Sequence, residues 1–245
     1  MFLLLDTTSS FADNLARVMR GVKKSNTASG VADFEDMRTA FYVGVGRLKS
    51  SSSTTRLCNL WATARHSAEN HEGIVTGTKG QLQFKSDAPV EFTCLYDCEK
   101  TDLSILGCEN ISNTDLHIHE FGNMLYAGEN LKLAGFGQSF ERANPFLPSV
   151  KSVTVALTNC SIFDSDESAE HAGWKSLKFF VVDQVVDFGY SGSPVYYPAN
   201  GDVIGMLCGS FEDQFAKASM CLKATYIGDA LVDNFILKRK RTFST

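Results

Sequence analysis

Residues 187 to 195 read Asp-Phe-Gly-Tyr-Ser-Gly-Ser-Pro-Val, between two apolar, strand-like runs. Ser191 stands in a Gly-x-Ser-Gly-x-Pro frame, with Gly189 and Gly192 on either side. Glycine reaches backbone angles that other residues resist and adds no side chain to block approach to nearby amides. A serine on such a turn can attack a carbonyl, with adjacent amides facing the oxyanion that forms. The same composition also makes an ordinary hairpin turn, since Gly, Ser and Pro are common turn residues. Other residues have to separate the two readings.

A serine hydroxyl is too weakly acidic to attack at neutral pH alone, so it needs a base, and the base needs an orienting acid. The chain has five histidines. His66 ends Trp61-Ala-Thr-Ala-Arg-His66, an apolar strand running into a polar turn, where a rigid element can aim an imidazole at a cleft. His71 lies in a charged loop and His171 in an acidic one. His117 and His119 alternate around Ile118 with no third metal ligand nearby, and Cys94 and Cys98 are not followed by a second ligand pair at zinc spacing. The expectation is therefore no metal and no cofactor. For the acid, Asp102 heads the short apolar run Leu103 to Leu106, where a carboxylate needs a partner to offset its burial. Asp97 and then Asp115 are the alternatives.

The elements that must hold these groups read as short β-type runs separated by turn clusters from Thr39 onward. Many short strands with few helical patterns between them indicate an all-β barrel or sandwich. The strand pattern lapses over 112–128, which places a joint between two β units of similar size. Before them, Phe11, Leu15, Val18 and Met19 fall on one face of a predicted helix over Ser9–Lys24. A second helix is predicted at about Tyr226–Leu237. The expected division is a helical extension over 1–37, a first β unit over 38–120, a second over 121–230, and a helix end with a tail over 231–245.

At 245 residues, 44% hydrophobic and 21% charged, the chain has enough apolar material for a sizeable core. A net charge of −5 argues against a nucleic-acid partner, whose footprint is normally a basic face. The basic run Lys238 to Arg241 reads as a solvated tail. Asp6 interrupts the opening apolar run, so no secretory signal is expected, and nowhere do about eighteen apolar residues follow one another as a membrane span requires. Seven cysteines, an odd number and mostly inside apolar runs, read as free buried thiols of a reducing, cytoplasmic or otherwise intracellular compartment.

Thr63-Ala-Arg-His66, Thr101-Asp102-Leu-Ser-Ile-Leu106 and Gly189-Tyr-Ser191-Gly-Ser-Pro194 stand in the order and rough spacing of three motifs of the trypsin-like serine proteases. Each is weak alone; the ordered set resembles that family over about residues 38 to 230. The pattern is most similar to the intracellular, HtrA-type branch, with Asn200-Gly201 and Val203-Ile204-Gly205 after the serine strand. The resemblance implies two perpendicular six-stranded antiparallel barrels with the site in the crevice between them. It implies Ser191 as nucleophile, His66 as general base and Asp102 as its orienting acid. It implies an oxyanion hole from the Gly189 and Ser191 amides. The expected partner is a protein or peptide substrate, and a virus-encoded polyprotein protease would use the same chemistry. A catalytically idle protease fold serving as a binding module is the competing reading, although no triad residue is lost.

Two positions depart from the secreted members. Ser67 replaces the cysteine that follows the histidine, and Tyr190 replaces the aspartate that pairs with a cleavage-generated N-terminus. By the same resemblance the base of the primary pocket falls at Val185, which favours small or apolar substrate side chains because a buried cation would lack a partner. Cys208, Gly209 and Ser210 are expected to flank that pocket, after a strand ending at Cys208. Asp183 and Asp187, on either side of Val185, could instead turn into it.

Overall fold

The computed structural model describes residues 14–19, 38–50, 56–68, 76–83, 88–109, 120–122, 124–137, 148–160, 178–212 and 217–238. Its elements form two antiparallel sheets. The first holds β1 (Leu15–Met19), β2 (Arg38–Leu48), β3 (Cys58–Ala64), β4 (Lys79–Gln83), β5 (Val90–Cys98) and β6 (Leu103–Cys108). Their order is β1-β4-β5-β6-β3-β2, and β1 pairs back onto β2, closing a ring of six. The second is a closed barrel of β7 (Asn130–Gly135), β8 (Ser149–Cys160), β9 (Phe179–Val182), β10 (Pro194–Tyr196), β11 (Val203–Glu212) and β12 (Lys217–Lys223). A short helix α1 (Arg65–Ala68) follows β3, and α2 (Ala224–Asn234) follows β12 and leads into β13 (Phe235–Leu237). The fold is all-β, as expected.

Closure removes the exposed strand edges that would otherwise invite aggregation. It also buries both faces of most strands, which explains why they read as nearly continuous apolar runs. Successive side chains point to opposite faces, and neighbours in sequence accordingly join different cores. Tyr42, Trp61 and Leu106 fill the first ring, while Phe41, Leu60 and Ile105 face the second. Phe180, Leu207 and Cys221 fill the second barrel, while Phe179, Met206 and Leu222 face the first. The residues between the barrels form one cluster, which α2 completes with Ala224, Ile227, Ala230 and Leu231.

Two expected helices need correction. Leu15–Met19, placed inside a helix over Ser9–Lys24, is strand β1, with Val18 opposite Leu82 and Leu15 opposite Phe41. Leu15, Ala16, Arg17 and Val18 are all buried, so no polar helix face exists there. Arg17 lies with its guanidinium 4.8 Å from the Phe136 ring centroid on the second barrel. The need to close the ring between β2 and β4 overrides the helical spacing of the apolar residues. The C-terminal helix runs from Ala224 to Asn234 rather than from Tyr226 to Leu237. Its expected last turn is β13, whose Phe235 pairs with Leu48 of β2.

Among the described residues no helix is long and apolar enough to cross a membrane.

Candidate active site

His66 and Asp102, the expected base and acid, are brought together by the pairing of β3 with β6. Ala64, the last residue of β3, lies opposite Leu103, the first of β6. His66 follows one and Asp102 precedes the other. A single 3₁₀ turn over Glu99–Thr101 delivers the chain to Asp102, which adopts φ 49°, ψ 41° in the left-handed region. Asp102 has the only positive φ among the described non-glycine residues. Asp and Asn tolerate this region better than most side chains, though not without cost. The strain is compensated locally, because the conformation lets Asp102 make three hydrogen bonds, one to Arg65 and two to His66. Arg65 N–H donates to the Asp102 carbonyl at 2.8 Å, and His66 N–H donates to Asp102 Oδ1 at 3.0 Å. Asp102 Oδ2 stands 2.8 Å from His66 Nδ1. With Asp102 Oδ2 as the acceptor, Nδ1 is the donor in this contact.

The alternative acids are elsewhere. Asp97 accepts from Arg65 Nε at 3.3 Å and from Thr76 Oγ1. Asp115, His71, His117, His119 and His171 lie outside the described residues, as does the basic tail beyond Lys238.

The serine turn sits at the start of β10. Ser193 N–H donates to the Tyr190 carbonyl at 2.8 Å, closing a four-residue turn with Gly192 third at φ 87°. A turn needing positive φ at that position selects glycine. Contact with the other barrel selects it again. A Cβ on Gly192 would lie 2.1 Å from the Thr39 carbonyl oxygen, 2.5 Å from Thr63 Oγ1 and 3.0 Å from the Ala64 nitrogen. The turn is therefore pressed against the strand end two residues before His66. On its own barrel, Gly192 N–H donates to the Leu207 carbonyl at 2.8 Å, and Leu207 N–H donates to the Ser193 carbonyl at 2.9 Å. Among the described residues, the Gly189 and Ser191 amides donate to no backbone carbonyl outside the regular elements.

Thr39, which sequence reasoning treats only as the start of a strand, grips this loop from the first barrel. Its N–H donates to the Ser191 carbonyl at 3.0 Å and its hydroxyl to the Gly189 carbonyl at 2.9 Å. The same hydroxyl accepts from Phe136 N–H at 3.0 Å, while Thr63 Oγ1 donates to the Thr39 carbonyl at 2.7 Å. Both threonines are fully buried. Nothing in the local sequence distinguishes Thr39 from any other β-branched residue at a strand start.

Tyr190 is also fully buried, inside the second barrel. Its hydroxyl is bonded to Ser149 Oγ, and Lys151 Nζ lies 4.9 Å from its ring centroid. A Cβ on Gly137 would fall 2.1 Å from a Tyr190 ring atom, so the absence of a side chain there makes room for the ring. Burial pushes the Tyr190 phenol upward, against the opposing influence of Ser149 and Lys151.

The pocket residues are placed less uniformly. Val185 is half-buried, and Val186 beside it is buried. The strand expected to end at Cys208 continues to Glu212, with a bulge between Leu207 and Gly209. Gly209 and Ser210 are thus strand residues, paired with Met220 and Ser219. Cys208 is buried in the cluster between the barrels, and burial, followed by the nearby Asp102 charge, pushes its thiol well above the usual range. Asp183 and Asp187 point to β8. Asp183 Oδ1 accepts from Thr154 N–H at 2.9 Å, and Asp187 pairs with Lys151 at 2.8 Å.

No protein-family profile matches the chain, and no curated protein matches it in sequence. Solved structures do match. The Rv3671c protease of Mycobacterium tuberculosis in its inactive form aligns at TM-score 0.59 and 13% identity, over 92% of this chain and 91% of that one. The MamO protease domain of Magnetospirillum magneticum aligns at TM-score 0.60 and 13% identity, over 91% and 98%. A serine endoprotease of Yersinia pestis aligns at 0.60 and 13%, over 93% of this chain and 65% of its own. Together with the two closed sheets, these matches show that the chain has the chymotrypsin-type fold of the trypsin-like serine proteases.

Proposed function

We propose that the protein is a serine endopeptidase working through Ser191, His66 and Asp102. The observation that carries this is the double grip of Asp102 on the backbone N–H and Nδ1 of His66, at 3.0 and 2.8 Å, beside the Gly192 turn. A carboxylate so placed fixes the imidazole tautomer that can take a proton at Nε2. In the reaction, the Ser191 hydroxyl attacks the scissile carbonyl as His66 Nε2 accepts its proton. The peptide C–N bond then breaks as His66 returns that proton to the leaving amine. Water repeats the sequence on the acyl-enzyme and frees Ser191. Asp102 stabilises the imidazolium while staying ionised. The Gly189 and Ser191 amides face the oxyanion, a contribution of about 3–4 kcal/mol for one such donor in related chemistry. No step needs a metal or cofactor. Cys58, Cys94, Cys98, Cys108, Cys208 and Cys221 are free thiols, which suits an enzyme of a reducing, intracellular compartment.

The test is labelling by a small fluorophosphonate. Wild type should label, and Ser191→Ala and His66→Ala should not, with all three equally folded by circular dichroism. Absence of labelling in folded wild type would favour the idle-scaffold reading instead.

A further inference from the structure

The segment that leads into the serine turn touches β11 at two places. Near the serine, Gly192 N–H and Leu207 N–H make the reciprocal contacts at 2.8 and 2.9 Å described above. Farther along β11, Ser210 meets Val186. Three strand steps, roughly 10 Å, separate Leu207 from Ser210, whereas twice as many residues connect Val186 to Gly192. The longer path must bow away from the strand, leaving a recess beside Ser191. Gly209 lies between the two anchors, and a Cβ there would meet no heavy atom within 4 Å.

At the end away from Ser191, two hydroxyls tie the walls together. Ser210 and Ser219 are opposite each other on β11 and β12, with their Oγ atoms 2.6 Å apart. Val186 N–H lies 3.2 Å from each hydroxyl. Ser219 Oγ donates to the Gln184 carbonyl at 2.5 Å, and Ser210 Oγ lies 3.2 Å from the Val186 carbonyl. One donor chain runs from Ser210 to Ser219 to the Gln184 carbonyl, with Val186 N–H shared between the two hydroxyls and the Val186 carbonyl left outside the chain. Ser219 is fully buried and Ser210 stands at the exposed rim, so the brace runs from the surface inward.

We propose that this serine brace restricts the protease to substrates with Gly, Ala or Ser immediately before the scissile bond. The inference rests on the serine-protease reading above and names its substrate class. A flat ring held between two walls needs about 7 Å between their heavy atoms, two contacts of ~3.5 Å each. The brace holds the Val186 peptide within hydrogen-bond reach of both strands, so at that end of the recess the walls stand closer than this. Among the described residues, the two carboxylates beside Val185, Asp183 and Asp187, are engaged on β8 rather than turned toward a substrate cation.

The experiment compares two peptidyl diphenyl phosphonates that share one leader and end in the alanine or the phenylalanine analogue. A small fluorophosphonate serves as the control for an active serine. The alanine probe should react at least about tenfold faster, the scale on which a pocket rejects excess bulk. Ser210→Gly with Ser219→Gly should raise the relative rate of the phenylalanine probe by about tenfold or more, and Ser210→Gly alone serves if the double variant does not fold. Equal rates for the two wild-type reactions, with the fluorophosphonate still labelling, would overturn the brace and leave the nucleophile standing. Unchanged selectivity in the folded variants would also overturn it. No labelling of folded wild type by any probe would overturn the protease reading and this inference with it.

Discussion

Gly192→Ala tests whether contact between the barrels positions the nucleophile turn. Two terms set the expected loss. The native φ of 87° places an L-residue in the left-handed half of the map, at a cost of about 1–2 kcal/mol. The new methyl would also stand 2.1 Å from the Thr39 carbonyl oxygen and 2.5 Å from Thr63 Oγ1, both in buried backbone-anchored residues. Forcing such groups apart costs a further 1–3 kcal/mol or so. The sum, roughly 2–5 kcal/mol, is a large share of the 5–15 kcal/mol typical of a folded domain. Relief requires the turn to retreat from Thr39, and this loosens the bonds to the Ser191 and Gly189 carbonyls. Urea unfolding should therefore show a lowered midpoint at unchanged slope, accompanied by slower fluorophosphonate labelling of the remaining folded protein. Gly209→Ala is the matched control. Its added methyl meets nothing within 4 Å, so stability should change by no more than about 0.5 kcal/mol. A Gly192→Ala protein within 1 kcal/mol or so of wild type and labelling at the wild-type rate would refute the reasoning.

Asp102→Asn should lower the labelling rate by about 10⁴ while preserving the fold, because an amide can donate to Nδ1 and leave the proton on Nε2, and Asn tolerates the left-handed backbone. A rate within tenfold of wild type would remove Asp102 from the proposed machinery. Thr39→Val keeps the shape but removes the hydroxyl that serves the Gly189 carbonyl and the Phe136 N–H. Leaving those groups unpaired should cost about 1–3 kcal/mol each, read by urea unfolding, with slower labelling as a second readout. Alkaline pH should also destabilise the fold. Burial pushes the Cys94 thiol up to about 11 and Cys108 to about 12, from an ordinary value of 9.0. Above pH 9 the unfolded chain releases these protons while the folded one retains them, so stability falls by about 1.4 kcal/mol per pH unit for each thiol. That loss should run from pH 9 to about 11 for Cys94 and to about 12 for Cys108. Cys94→Ala with Cys108→Ala should make the slope shallower, with the buried Cys208 and Cys221 thiols supplying the remainder, measured by unfolding at pH 8 and pH 10.5. An equally steep slope in that variant would refute the assignment.

What the sequence reveals and what it hides follow one physical division. Local chemistry is legible: Gly192 needs its conformation, His66 stands at a strand end, and Asp102 heads a buried run. Each signal is carried by residues adjacent in the chain. The all-β class is legible for the same reason, since turn residues punctuate the strands. Features decided by distant partners are not legible. The apolar spacing from Phe11 to Met19 suits a helix, and only the presence of β2 and β4 on either side makes Leu15–Met19 a strand. The run from Val203 reads as a strand ending at Cys208, because a bulge at that point interrupts the pattern without ending the ladder with β12. Thr39 lies 150 residues from the Gly189 carbonyl that it binds, a separation across which no short motif carries information.

Tyr190 shows how the crevice is held together without an acidic residue before the serine. Its ring fills space that Gly135 and Gly137 leave open, its hydroxyl meets Ser149, and Lys151 lies over its face while pairing with Asp187. Packing and neutral hydrogen bonds thus hold the residue directly before Ser191 from below, inside the second barrel. Thr39 holds the carbonyls on either side of Tyr190, those of Gly189 and Ser191, from the first barrel. The two sets of contacts act on one three-residue stretch from opposite sides. A shift of either barrel against the other must move that stretch relative to His66. The apolar cluster between the barrels, with α2 packed into it, therefore does more than stabilise the fold: under the proposed function it also fixes how the Ser191 turn sits relative to His66.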